Sequence, residues 1–250
     1  MGIGGNELGS STSNADLWTE DLAWQAVRGQ ALGRQFCTCD DHYHLFWAAL
    51  RAAGFVGSMS KEEGALAEVL SPLITNQSRI LIAAAADPAS LCTVMRIAGT
   101  RTPHVAVLDK CAAPLKLIDE MCAHKGVSAQ TIHSDVLETQ EYGKWDIILM
   151  HYVTGFIAPE SRPRFYAQLA SLLSPNGIIV CTYKKTPPAK SADSDTIETA
   201  WRESTRKALE NSPTALNWEA GELDENWRLP QPAARLAVCT TPAVRTFAMT

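Results

Sequence analysis

The sequence predicts an α/β fold, a doubly wound and mostly parallel sheet with an N-terminal helical cap. Three observations lead there. Short apolar runs recur through residues 78–185, each followed by a stretch with helical spacing. The first run, residues 79–84, has no polar alternation, as expected of a strand covered on both faces. Ahead of the runs, residues 16–75 carry helical spacing alone.

Taken in order, residues 1–15 are rich in Gly, Ser and Asn and read as a disordered tail. Asn14 or Asp16 supplies an N-cap before Leu17 and Trp18, and Leu22, Ala26, Leu32 and Phe36 continue a helix. A second helix carries Tyr43, Phe46, Trp47 and Leu50 and stops at Gly54, and a third carries Leu66, Val69, Leu70 and Leu73. Strands are expected at 79–84, 104–109, 130–135, 145–151 and 178–183, with helices at 89–98, 113–124 and 161–173. A turn at 174–177 precedes the fifth strand. A polar, Pro-rich break opens an insertion at about 186–230, and a hairpin of 235–239 and 243–249 would supply the last two strands. The expected organisation is thus a tail, a helical cap over 16–75 and a sheet domain over 76–250.

Composition narrows the function. The net charge is −5 and the pI about 5.7, which argues against a nucleic-acid partner, since that needs a basic face. No apolar run nears the ~18 residues that cross a membrane, and residues 1–14 lack the apolar core of a secretory leader. Seven cysteines form an odd set without framework spacing, so a cytoplasmic protein with reduced thiols is expected.

In open parallel sheets, ligands bind beyond the carboxyl ends of the strands, where the strand order reverses. That rule selects residues 84–88, 109–111, 134–136 and 151–153. Asp109 and Asp135 each follow a strand. A carboxylate at the second strand's end can accept hydrogen bonds from ribose hydroxyls, although a helix cap would use the same residue. His151 and Tyr152 close the fourth strand, and a histidine there could take a proton from a nucleophile near neutral pH.

The series Ile80-Leu-Ile-Ala-Ala-Ala-Ala-Asp87, Val107-Leu-Asp109, His133-Ser-Asp135, Trp145-Asp-Ile-Ile-Leu-Met150 and Leu172-Leu-Ser-Pro-Asn-Gly177 resembles class I S-adenosylmethionine-dependent methyltransferases. The resemblance covers about residues 78–185. It implies a seven-stranded sheet with the last strand antiparallel, and S-adenosylmethionine as cofactor. The implied cofactor contacts are Ala84, Ala86, Asp87, Asp109, Lys110, Asp135 and Val136. His151 or Tyr152 would orient or deprotonate the acceptor. One element departs from the family: its acid-x-Gly-x-Gly-x-Gly loop is replaced here by Ile82, Ala84, Ala86 and Pro88. Alanine adds a methyl wherever backbone must approach a ligand, and proline removes an N–H donor. Asp87 could compensate by bonding the cofactor's amino group or by capping the next helix.

The family's Asn/Asp-Pro-Pro-Tyr signature for planar nitrogens is absent, so the expected partner is a small-molecule substrate, with a homodimer left open. The alternative is a repurposed member of the family, a non-methylating enzyme or a binding subunit. Residues 37–44 hold two Cys, two Asp and two His, but their spacing is not that of zinc motifs. A helix start capped by Asp40 or Asp41 is the reading adopted, and no metal is expected. Tyr43, Phe46 and Trp47 would pack in the core or line the cap. Trp201, Arg202, Arg206, Trp218 and Trp227 fall in the insertion, on a solvated helix face or over a substrate.

Overall fold

The computed structural model describes residues 14–39, 42–54, 56, 59–184, 203, 206–207 and 242–248. Residues 1–13 of the expected tail, most of the 186–230 insertion and the 235–239 half of the hairpin lie outside the described residues, as do Trp201, Arg202, Trp218 and Trp227, while the last two residues of that tail open a helix.

Strands β1 (Arg79–Ala83), β2 (His104–Asp109), β3 (Gln130–His133), β4 (Trp145–His151), β5 (Leu173–Lys184) and β6 (Pro242–Ala248) form one sheet in the order β3-β2-β1-β4-β5-β6. The first five are parallel, and β6 runs antiparallel to β5. Six of the seven expected strands are therefore described. Strand order reverses between β1 and β4, which makes their carboxyl ends the switch point.

Side chains alternate between two cores. Ile80, Ile82, Val105, Val107, Ile147 and Leu149 face one layer, which holds α5 (Ala89–Ala98) and α6 (Ala112–Lys125). Leu81, Ala83, Ala106, Leu108, Ile148 and Met150 face the other, where α7 (Arg162–Leu172) inserts Phe165, Leu169 and Leu172. Both faces being covered is why β1 and β4 read as unbroken apolar runs.

The helical stretch is less continuous than its periodicity suggests. A single turn, α1 (Asn14–Leu17), stops short, and α2 (Leu22–Phe36) starts anew because the Asp21 carboxylate accepts from the Trp24 N–H at 2.9 Å. The next helix, α3 (Tyr43–Ala52), has His42 at its N-cap position with φ 48° rather than Asp40 or Asp41, which lie outside the described residues. A 3₁₀ turn (Met59–Glu62) leads into α4 (Glu63–Leu70). The two longest of these helices approach closely: a Cβ on Gly33 of α2 would stand 2.5 Å from the Leu45 Cα of α3. Trp18, Met59, Leu66 and Leu70 join the core of α5 and α6, while Leu32 and Ala48 meet Leu117 of α6. The 174–177 turn is absorbed into β5 as an irregularity: pairing with β4 breaks after Trp145↔Leu173 and resumes at Ile147↔Ile178. Gly177 is needed there, since a Cβ would meet the Trp145 carbonyl at 2.8 Å. No helix among the described residues is long and apolar enough to cross a membrane.

Candidate functional site

The expected site residues assemble along the carboxyl edge of the sheet. Immediately after β1, Ala84 holds φ 61°, in the left-handed region where glycine is at ease and alanine is strained. Its N–H donates to the Leu108 carbonyl at 2.8 Å, which keeps the loop against β2. The backbone thus takes a glycine-type conformation although the side chain is not glycine.

Asp109 ends β2 and is 6% exposed. Its Oδ1 accepts from the Cys111 N–H at 2.7 Å, and the Ala85 N–H donates to the same carboxylate. Burial pushes this carboxyl up to about 6, against the pull of His44 and of those two donors. Four lone-pair sites serve two main-chain donors, so acceptor capacity remains for hydroxyls. Lys110 is exposed. After β3, Asp135 is partly buried and its Oδ1 accepts from the Leu137 N–H at 2.8 Å, while Val136 enters the second core.

Asp87 turns away from the edge. Its Oδ1 accepts from the Ala89 N–H at 2.8 Å and caps α5, and its Oδ2 lies 2.7 Å from Arg51 Nη1 of α3. Arg51 also reaches Glu20 at 2.5 Å. Burial alone would lower the Arg51 pKa, but the charges of Asp87 and Glu20 outweigh it and hold the guanidinium above its ordinary value. Of the two compensating roles open to Asp87, capping is the one seen.

At the end of β4, His151 Nδ1 stands 2.7 Å from Thr182 Oγ1 of β5 and 3.4 Å from Glu62 Oε2. The Tyr152 hydroxyl donates to Glu62 Oε1, and Tyr152 itself holds φ 56°. Glu62 therefore brings a carboxylate from the N-terminal helices to the expected catalytic pair, an arrangement that fixes an imidazole's orientation. Beyond it, the Tyr43 ring lies 4.9 Å from that of Trp47 and 6.1 Å from that of Phe156, which is 47% exposed in the loop after β4. Phe46 is buried.

Sequence reasoning missed Glu20, Arg51, Glu62 and Thr182. Arg51 lies in the last turn of a largely apolar helix and Glu62 lies between Lys61 and Glu63, and no spacing rule links either to strand ends far along the chain. It also missed Cys111. That thiol closes on the 37–44 segment, so that Cys37, Cys39, His44 and Cys111 bring their sulfur and ring-nitrogen atoms within 4.8 Å of one another. Arg206, expected on a solvated face, pairs with Glu203 at 2.8 Å on the surface.

No family model matches the chain. Among curated proteins, carboxy-S-adenosyl-L-methionine synthase of Wolinella succinogenes is 30% identical over 108 residues, 43% of this chain. The match spans 45% of that relative's length, a little under half. Among solved structures, phosphoethanolamine N-methyltransferase 2 of Haemonchus contortus in complex with S-adenosyl-L-methionine superposes with a TM-score of 0.50 at 14% identity. It covers 68% of this chain and 41% of the other. An S-adenosylmethionine-dependent methyltransferase of Clostridium acetobutylicum gives 0.45 at 13% identity, over 57% of this chain and 56% of that one. The fold is that of the S-adenosylmethionine-dependent methyltransferases.

Proposed function

We propose that the chain is an S-adenosylmethionine-dependent methyltransferase acting on a small molecule. The observation that carries this reading is Ala84 at φ 61°. A strained backbone at the first loop of the switch point persists only where the surroundings impose it, and such outliers concentrate at ligand sites. The acceptor set suits the cofactor: the buried Asp109 carboxylate, held by the Cys111 and Ala85 N–H groups, keeps room for hydroxyl donors. Asp109 and Asp135 would hold the cofactor with the Ala84–Ala86 backbone, flanked by Lys110 and Val136, while Asp87 keeps the loop in place through Arg51.

The bound cofactor would supply an electrophilic methyl group on a cationic sulfur. The chain's own part is to hold an acceptor in line and to take its proton. His151, oriented by Thr182 and Glu62, is the base, and the Tyr152 ring packs against it. Positioning is the larger share of such catalysis. We place the N-terminal helices over the cofactor, because Arg51, Glu62 and Tyr43 reach the ends of β1 and β4 from that side. We place the chain in a reducing cytoplasm, because its seven cysteines form an odd set without framework spacing.

Two observations favour a second reading, a non-methylating enzyme on the same cofactor. The curated relative is named for making a modified S-adenosylmethionine, and the alanine-rich loop departs from the methyltransferase pattern.

Calorimetry of the full chain with S-adenosylmethionine, S-adenosylhomocysteine and a carboxylated analogue tests both. Micromolar binding of the first two supports methyl transfer. Clear preference for the carboxylated analogue supports the second reading, and absence of all binding removes both. Asp109→Ala should weaken S-adenosylhomocysteine by roughly 1–3 kcal/mol, the cost of leaving hydroxyl donors unpaired.

A further inference from the structure

The chain carries three thiols and one imidazole at a single point, drawn from three helices. Cys37 follows the last turn of α2, Cys39 lies in the connection, His44 is in the first turn of α3, and Cys111 occupies the N-cap of α6. His44 Nδ1 is 3.7 Å from Cys37 Sγ and 3.5 Å from Cys39 Sγ. With ordinary zinc–sulfur and zinc–nitrogen bonds of about 2.3 and 2.0–2.1 Å, the sulfur-to-nitrogen edge of a tetrahedron is about 3.6 Å. The two measured edges fit that figure, and the remaining four pairs, three sulfur–sulfur and one sulfur–nitrogen, all lie within 4.8 Å, so that modest side-chain shifts would bring the sulfurs to a tetrahedron's sulfur–sulfur edge of about 3.8 Å.

We propose that Cys37, Cys39, His44 and Cys111 bind one zinc ion. Three soft sulfurs and an imidazole suit Zn²⁺ over the oxygen-seeking Mg²⁺ or Ca²⁺. On binding, the three thiols release their protons to solvent and the neutral imidazole donates through Nδ1, so the completed centre carries a net charge of −1. The N-terminus of α6, a helix of fourteen residues, lies at Cys111 and favours that negative charge. Four protein ligands leave no open position, so the centre is structural and not catalytic. It joins the α2–α3 connection to the start of α6, two residues beyond Asp109, and so fixes the N-terminal helices to the carboxyl end of β2. None of this depends on the cofactor reading.

The experiment is metal analysis of the full chain, purified without chelator. Elemental analysis should find about one zinc per chain. Cobalt(II) added to the chelator-stripped protein should give the visible bands of tetrahedral cobalt and a thiolate-to-cobalt charge-transfer band, saturating at one equivalent. Cys111→Ser and Cys37→Ser should each lose most of the zinc, whereas Cys122→Ser, a buried thiol outside the group, should keep it all. If the serine variants fail to fold, the cobalt titration of the native chain decides by itself. Substoichiometric metal with no tetrahedral cobalt spectrum would overturn the proposal. A disulfide among these cysteines found by mass spectrometry, iron with labile sulfide in place of zinc, or full zinc in Cys111→Ser would do so equally.

Discussion

Arg51 Nη1 lies 2.7 Å from Asp87 Oδ2, and the same guanidinium lies 2.5 Å from Glu20. One buried cation on α3 thus ties the start of the chain to the loop that follows β1. Arg51→Met should cost about 3–5 kcal/mol, because it strands two buried carboxylates without a counter-charge. Urea denaturation measures this. Restoring neutrality with Glu20→Gln and Asp87→Asn in the Arg51→Met background should recover part of the loss. A single variant as stable as the parent would show that the triad is solvated in solution.

Ala84 sits at φ 61°. Ala84→Gly removes a left-handed penalty of roughly 1–2 kcal/mol and adds a glycine cost in the unfolded chain of about 0.4–1 kcal/mol. The net expectation is a stabilisation of roughly 0.5–1 kcal/mol, with cofactor affinity equal or better. Ala85→Gly, whose φ is not positive, should destabilise instead. If both variants lose stability alike, Ala84 is not strained in solution.

The α2–α3 contact predicts opposite signs for two glycines. At Gly33 an added Cβ meets backbone at 2.5 Å, whereas at Gly64 of α4 nothing stands within 4 Å. Gly33→Ala should lose roughly 1–2 kcal/mol, overpacking outweighing the better helix propensity. It should also lower zinc content, since it displaces the turn that carries His44. Gly64→Ala should gain up to about 1 kcal/mol. Thermal melts of both variants separate the two effects.

His151 and Glu62 predict a graded loss of turnover. With an acceptor found by screening small hydroxyl, thiol, carboxyl and amine compounds for S-adenosylhomocysteine release, His151→Ala should lower kcat by ~10²–10⁴-fold. Calorimetric affinity for S-adenosylhomocysteine should barely change. Glu62→Gln keeps the hydrogen-bond geometry but removes the charge facing the ring, so it should lower kcat and cost less than His151→Ala. Loss of cofactor affinity in His151→Ala would move that residue from the chemistry to the binding site.

By itself the sequence determined the sheet and its carboxyl edge. Runs such as 104–109 and 145–151 are apolar because both faces of a parallel strand are buried, and that pattern is local enough to read directly. The strand-end positions of Asp109, Asp135 and His151 follow from the same reading. Tertiary structure alone decided what those residues meet. Arg51 reaches Asp87, Glu62 reaches His151 and Cys111 closes on His44 across long stretches of chain, and none of these contacts leaves a period or a spacing. The cysteines at 37 and 39 lack zinc-motif spacing because the group is completed by a helix N-cap after β2. Periodicity encodes which face is buried, whereas pairings between elements are set by packing, here by Gly33 admitting α3 against α2.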